Sequence, residues 1–336
     1  LCDKPELKAI ADALRAFGDG ECPLESPLAV ARLRGGTWRD DSGWSRDPRQ
    51  PAIICSTVDQ LGSSLLFRPY GHGTNTASIY AGLAGNDSLI ILDEAHCSEP
   101  FRQTLSAIKR FRKAPWYSAP IDTPFGFTIM SATLPANDDD SAASSDVFPA
   151  DDEERTRALD NEKLHLRTRA VKTAALRMVG NKAEKSDPLV EAAAERAKHY
   201  QQMGRQRIAI MVNRVNTAKE IHAKLATQDT AEVVLLTGRL RPLDRDAIVK
   251  KYSPLLKSGS TVTLDKPIII VTTQCLEVGA DFSFDALVTE CASLDALRQR
   301  FGRLDRLGEL KATDATILTR DADTKVPEDK DDDPIY

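Results

Sequence analysis

The 336-residue sequence contains no GxxxxGK[ST] loop, and the dipeptide Gly-Lys occurs nowhere in it. Such a loop cradles nucleotide phosphates with backbone N–H groups and a lysine, so the most direct mark of a phosphate site is missing. None of the five histidines (His72, His96, His165, His199, His222) is followed by aspartate. The six cysteines (Cys2, Cys22, Cys55, Cys97, Cys275, Cys291) are scattered, with no CxxC pair. That spacing speaks against a disulfide framework or a zinc site and reads as reduced thiols of a cytoplasmic protein. His96 beside Cys97 offers adjacent ligands without a second pair, so no metal site is inferred there. No apolar run approaches the ~20 residues that span a bilayer, and no signal-peptide pattern is present, so no membrane partner is expected. A net charge of −5 excludes a uniformly basic coat for nucleic acid but leaves room for a local groove.

What is present is organised around residues 88–96, SLIILDEAH. Four apolar residues end abruptly in Asp93, Glu94, Ala95 and His96, which reads as a buried strand of a parallel sheet. Ligands of open α/β sheets bind in the crevice outside the strand ends, where these carboxylates would sit. Two ionised acids there need a compensating cation, and hydrated magnesium serves. The stretch resembles the Walker B segment of P-loop ATPases. In that resemblance Asp93 holds Mg2+ through its water shell, and Glu94 orients and deprotonates the attacking water. The plainer reading is a cap on the helix beginning near Pro100. Its company along the chain decides between the two.

The length suggests about two domains, and 41% hydrophobic with 28% charged residues is ordinary for a globular chain. A helix is expected over 5–17, a loop over 35–48, a strand over 52–58, a helix over 59–67 and a loop over 71–77. After the central strand comes FRQTLSAIKRFRK (101–113), with one apolar helical face and a basic face read as solvated. Residues 125–130 form another apolar strand. Strands near 208–213, 232–237, 268–273, 286–290 and 315–319 alternate with helices near 188–203, 217–226, after Pro242, and 294–304. That alternation argues for βαβ units. The expected organisation is a first domain over 1–136, an acidic linker or crossover over 137–184, a second domain over 185–325 and an acidic tail over 326–336 that reads as disordered.

Four signals follow one another in order: DEAH; Ser131-Ala132-Thr133, 35 residues after His96; VTTQCLEVGADF (271–282); and QRFGRLDR (299–306), with three arginines in eight residues. This order resembles motifs II, III, V and VI of superfamily 2 helicases. The resemblance implies an α/β architecture of two tandem RecA-like domains, the P-loop NTPase core, with the first truncated at its N-terminus. Members of that superfamily supply cations to the transferred phosphate from the second RecA-like domain, so hydrolysis awaits cleft closure. By position in QRxGRxxR, Arg303 and Arg306 match arginine fingers and Gln299 faces the γ-phosphate and water, while Arg300 makes structural or acidic contacts. Gly279 and Asp281 match the loop near the ribose. Ser131 and Thr133 resemble the link between nucleotide and nucleic acid, and His96 joins the same coupling. Thr57 and Thr273, and more weakly Arg239 and Arg241, are the candidate nucleic-acid contacts. Read instead as surface arginines at i, i+3 spacing, the 299–306 stretch would be a solvated helix face.

STVDQLGSSLLF (56–67), LDEAHCSEPF (92–101), LLTGRLRPLDRD (235–246) and LRQRFGRLDRLGE (297–309) narrow the resemblance. They are similar to the helicase–nuclease of type I CRISPR interference, nearest subtype I-G (formerly I-U), over about residues 28–319. The resemblance implies ATP and Mg2+ as cofactors and 3′ to 5′ movement on single-stranded DNA in an R-loop. It also implies recruitment by the Cascade complex and an HD nuclease, fused or separate. The missing phosphate loop and His-Asp pair depart from that pattern. With Leu1 in place of Met, the expectation is a segment of a longer enzyme, inactive alone. Two alternatives stay open: a non-catalytic RecA-like module that binds nucleic acid or a partner, and another superfamily 2 helicase acting on RNA or in restriction.

Overall fold

A computed structural model describes residues 5–16, 27–33, 42–45, 47–48, 50–116, 118, 123–130, 152–183, 187–227, 229–276, 281–310 and 313–321. The chain divides into two units, Leu1–Val147 and Phe148–Tyr336. Motif residues His96 (its side chain), Ser131, Thr133 and Gly279, and the tail 326–336, lie outside what is described.

In the first unit, α1 (Pro5–Arg15) precedes β1 (Ala29–Leu33), β2 (Ala52–Ser56), α2 (Val58–Leu65), α3 (Ala77–Gly85), β3 (Ser88–Asp93), α4 (Glu99–Phe111) and β4 (Phe125–Met130). Among the described residues the strands form two separate parallel pairs, β1–β2 and β3–β4. On the β3–β4 pair, Leu65 of α2 and Ala84 of α3 share one buried cluster with Ile90, Leu92, Phe101 and Leu105. Burying each of the larger members contributes ~1.5–3 kcal/mol.

The central strand differs from expectation. Leu89 and Ile91 are 71% and 58% exposed while Ile90 and Leu92 are buried, so β3 alternates with the pleat and has one covered face. α3, ASIYAGLAG, was not foreseen, because two glycines and small side chains blur a helical period. The basic face of α4 is less solvated than expected. Arg112 donates to Asn86 Oδ1 (2.9 Å) and to the Thr123 carbonyl (2.6 Å), and Lys109 lies over the Phe127 ring, fastening the helix to the sheet.

The second unit contains α5 (Asp152–Leu159), α6 (Glu162–Arg169), β5 (Lys172–Val179), α7 (Pro188–Gln202), β6 (Arg207–Met211), α8 (Val215–Ala226), β7 (Glu232–Leu236) and α9 (Pro242–Leu256). It continues with β8 (Ile268–Thr272), β9 (Ala286–Glu290), α10 (Leu294–Phe301) and β10 (Thr313–Arg320). Its six strands form one all-parallel sheet in the order β5-β10-β9-β6-β8-β7. The central strands β6, β8 and β9 are almost wholly buried, as continuous Ile/Val/Ala runs demand when helices cover both faces. One core lies under α7 and α8, the other under α9 and the Phe282–Phe284 segment. Asp187 caps α7 by accepting the Leu189 N–H (3.1 Å), and Arg320 clamps the same carboxylate at 2.8 and 3.0 Å.

Two boundaries need correction. Residues 152–179, expected within an acidic linker, supply α5, α6 and the edge strand β5. The acidic run Asp152, Glu153, Glu154 is the first turn of a helix, where negative charge favours the positive end of the dipole. The helix expected over 294–304 stops at Phe301, with Gly302 at its C-cap.

Candidate nucleotide and nucleic-acid site

Asp93 closes β3 opposite Met130 of β4, with its side chain exposed. Its Oδ1 accepts the Glu94 N–H at 3.0 Å. Glu94 itself adopts a left-handed backbone, φ 51° and ψ 49°, which costs a residue with a Cβ roughly 1–2 kcal/mol. The next residue, Ala95, is buried in the core and anchors a single 3-10 turn over Ala95–Cys97. β3 therefore delivers two consecutive carboxylates to the carboxyl end of a parallel pair, across a strained turn of the kind that persists at functional sites. Beyond the turn, Glu99 opens α4 and is held by Arg102 Nε at 2.9 and 2.8 Å, so it is committed to the helix.

No group of three or more His, Cys, Asp or Glu gathers among the described residues. The exposed Asp93 carboxylate could take an ion that keeps most of its waters, which is the preference of magnesium. Thr57 stands at the carboxyl end of β2 as the N-cap residue of α2, exposed, with no side-chain cap hydrogen bond.

In the second unit the two late motifs are stitched together. The Phe284 N–H donates to the Arg303 carbonyl, and the Asp305 N–H donates to the Phe284 carbonyl, each at 2.9 Å. The Arg306 N–H reaches Ser283 Oγ at 3.0 Å. Arg303 and Arg306 thus lie on an extended turn beside residues 282–284, and the i, i+3 helical ladder does not form. Asp305, at φ 40°, shapes that turn by accepting the Glu309 and Leu310 N–H groups at 2.9 and 3.2 Å. Asp281 and Arg306 come together, Oδ1 to Nε at 3.6 Å, with Ser258 Oγ donating to the same carboxylate oxygen at 2.9 Å.

The three arginines have separate environments. Arg300 is fully buried and donates to Thr289 Oγ1 and the Glu290 carbonyl (2.9 Å each) and to Asn213 Oδ1 (2.8 Å). Its structural role follows the expectation. Arg303 is 7% exposed, and Arg306 is half-buried. Gln299 is half-buried on α10, one residue before Arg300.

The candidate nucleic-acid residues also divide. Thr273 follows β8 and is buried, with its hydroxyl 3.9 Å from the sulfur of Cys275, whose thiol donates to the Leu236 carbonyl (3.2 Å). Arg239 is exposed. Arg241 is 84% exposed and pairs with Asp244 at 2.6 Å, which raises the guanidinium pKa and holds the carboxyl below its usual range. Sequence reasoning missed Ser258, Asp305 and the Asn213–Glu290 pair. Of these only Asp305 carried a signal, sitting inside the arginine motif.

Residues 204–309 match a family model described as the C-terminal part of the CRISPR-associated nuclease/helicase Cas3. A Methanocaldococcus jannaschii protein assigned as a CRISPR-associated nuclease/helicase Cas3 is 26% identical over 76% of this chain and 31% of its own length. The CRISPR-associated helicase Cas3 of Thermoproteus tenax is 32% identical over 35% of this chain and 19% of its own. The chain therefore spans less than a third of the curated relatives it matches. Among solved structures, Cas3 of T. fusca superposes with a TM-score of 0.60 at 18% identity, over 94% of this chain and 40% of that one. The two units thus share the α/β, RecA-like fold of that protein, and residues 204–309 are similar in sequence to the C-terminal part of the Cas3 family.

Proposed function

We propose that the chain forms part of the motor of an ATP-dependent 3′ to 5′ DNA helicase that acts in type I CRISPR interference. The observation that carries the reading is the pair Asp93–Glu94, set out at a strand end across a left-handed turn. Asp93 would hold the magnesium of a bound nucleotide, and that ion would neutralise charge on the β- and γ-phosphates. Glu94 positions and takes a proton from the attacking water. Arg306, anchored through Ser283 and Asp281, and Arg303 beside it offer cations to the charge that develops on the transferred group, with Gln299 orienting the water. Arginine fingers contribute 10³–10⁵-fold in related phosphoryl transfer.

The comparisons lend support: T. fusca Cas3 has been solved with ADP and with AMPPNP, and another neighbour is a CRISPR RNA-guided surveillance complex in a pre-nicking state. Single-stranded DNA in an R-loop and the Cascade complex are the proposed partners, with Thr57, Arg239 and Arg241 as exposed phosphate contacts. Ser131, Thr133 and His96 would couple the nucleotide to DNA, and Gly279 and Asp281 would lie near the ribose. Because the 336 residues carry no phosphate loop, hydrolysis by this chain alone is not expected; a longer protein would bring one, with an HD nuclease. The test is ATPase stimulation of such a protein by single-stranded DNA against single-stranded RNA. Stimulation by DNA supports the reading, and stimulation by RNA alone overturns it.

A further inference from the structure

We propose that Lys172 is a positioning residue that braces the arginine-bearing turn 302–307 from the segment leading into the second unit's sheet. The inference rests on the nucleotide reading above, since that reading makes Arg303 and Arg306 functional.

Lys172 opens β5, and its Nζ donates to the Phe301 carbonyl at 2.9 Å. Phe301 is the last residue of α10; its carbonyl also accepts the Leu304 N–H at 3.2 Å, and a cation there is favoured by the helix dipole. The turn is gripped at its other end as well. Gly308, at φ 73°, lies so close to α6 that a Cβ there would run into the Leu166 carbonyl. Two contacts from α6 and β5 therefore enclose the six residues that present Arg303 and Arg306.

The charge environment argues against a casual surface contact. Burial pushes the Lys172 ammonium pKa down; Asp305 opposes this, while Arg167 and Arg306 add to it. These three are the charged groups that act on it. Among the described residues Lys172 forms no ion pair within 4.0 Å, so a half-buried cation facing two other cations spends its hydrogen bond on a main-chain oxygen. A solvated lysine would turn away to water. Holding this position instead fixes where the helix ends and the turn begins.

Hydrogen exchange on this chain reads the brace without any nucleotide. In Lys172→Met the Asp305 and Arg306 amides, bonded to the Phe284 carbonyl and Ser283 Oγ, are expected to exchange about tenfold faster, with the β6 and β9 amides unchanged. Lys172→Arg should restore protection. In a longer ATP-hydrolysing protein containing this chain, Lys172→Met should lower kcat about tenfold at unchanged KM for ATP and unchanged folded fraction. Unchanged exchange, or a kcat loss that only follows the unfolded fraction, overturns the brace. Wild type that hydrolyses no ATP overturns the functional reading instead, and the exchange result still decides the brace. Should Lys172→Met unfold the unit, Gly308→Ala presses on the turn from its other end, with faster exchange of the same two amides expected.

Discussion

Replacing Arg300 by methionine separates architecture from chemistry among the three arginines. Arg300 is fully buried, and its guanidinium serves Thr289 Oγ1, the Glu290 carbonyl and Asn213 Oδ1. The Glu290 carboxylate, also buried, accepts the Asn213 N–H at 2.7 Å, so one charge-assisted network ties β6, β9 and α10 together. Methionine matches the length of the side chain but takes the guanidinium donor from Thr289 Oγ1 and Asn213 Oδ1, while the Glu290 carbonyl keeps the Thr289 hydroxyl as a donor. Each buried acceptor left unmet costs about 1–3 kcal/mol, roughly 4 kcal/mol for the two. With a urea m-value of about 2 kcal/mol/M, the unfolding midpoint should fall by roughly 2 M. All three tryptophans, Trp38, Trp44 and Trp116, belong to the first unit, so tryptophan fluorescence follows that unit while circular dichroism also follows the second. The expected result is a large shift of the second unit's transition with the fluorescence transition in place. Arg306→Ala, at a half-buried site, should stay within about 1 kcal/mol. A midpoint change under about 0.5 M for Arg300→Met would refute the network.

Three further outcomes follow from the geometry. Glu94→Gly should leave the first unit's melting temperature unchanged or raise it by a few degrees, because it relieves the left-handed backbone at φ 51°, while abolishing hydrolysis. Burial pushes the Asp187 carboxyl pKa up, yet the Arg320 hydrogen bonds and the Leu189 N–H outweigh this and hold it below its usual 3.8. Its contribution is therefore present above that value and lost as pH falls through the lower folded value. Asp187→Asn, which keeps the cap, should flatten the acid limb of a urea-midpoint series below about pH 4. Gly308→Ala should destabilise the second unit by about 1–3 kcal/mol in thermal unfolding, since the new Cβ meets α6 at a positive φ.

The second unit's sheet was legible because its strands are continuous β-branched runs bounded by helical periods: IIIVTT and ALVTE fall within a residue of β8 and β9. β5 was not. KTAALRMV is an edge strand with little buried area, so its sequence carries no apolar period, and its acidic neighbours disguised α5 as linker. Motif spacing singles out Asp93, Glu94, Asp281 and Arg306 as candidates, but spacing is silent about backbone direction. The helix read through Arg303 and Arg306 ends at Gly302, because residues 303–305 pair with Phe284 in preference to continuing α10. Thr273 sits at a strand end as expected, yet it is buried beside Cys275, whose thiol bonds the Leu236 carbonyl, a long-range contact that no local pattern announces.

The most direct test of the central claim is DNA-stimulated ATP hydrolysis by the longer protein, wild type beside Glu94→Gln and Arg306→Ala. Turnover should fall at least about 10²-fold in both variants with single-stranded DNA still bound, as removal of a general base or a transition-state cation requires. Full turnover in Glu94→Gln, or none in wild type, would contradict the assignment of these residues to a nucleotide motor.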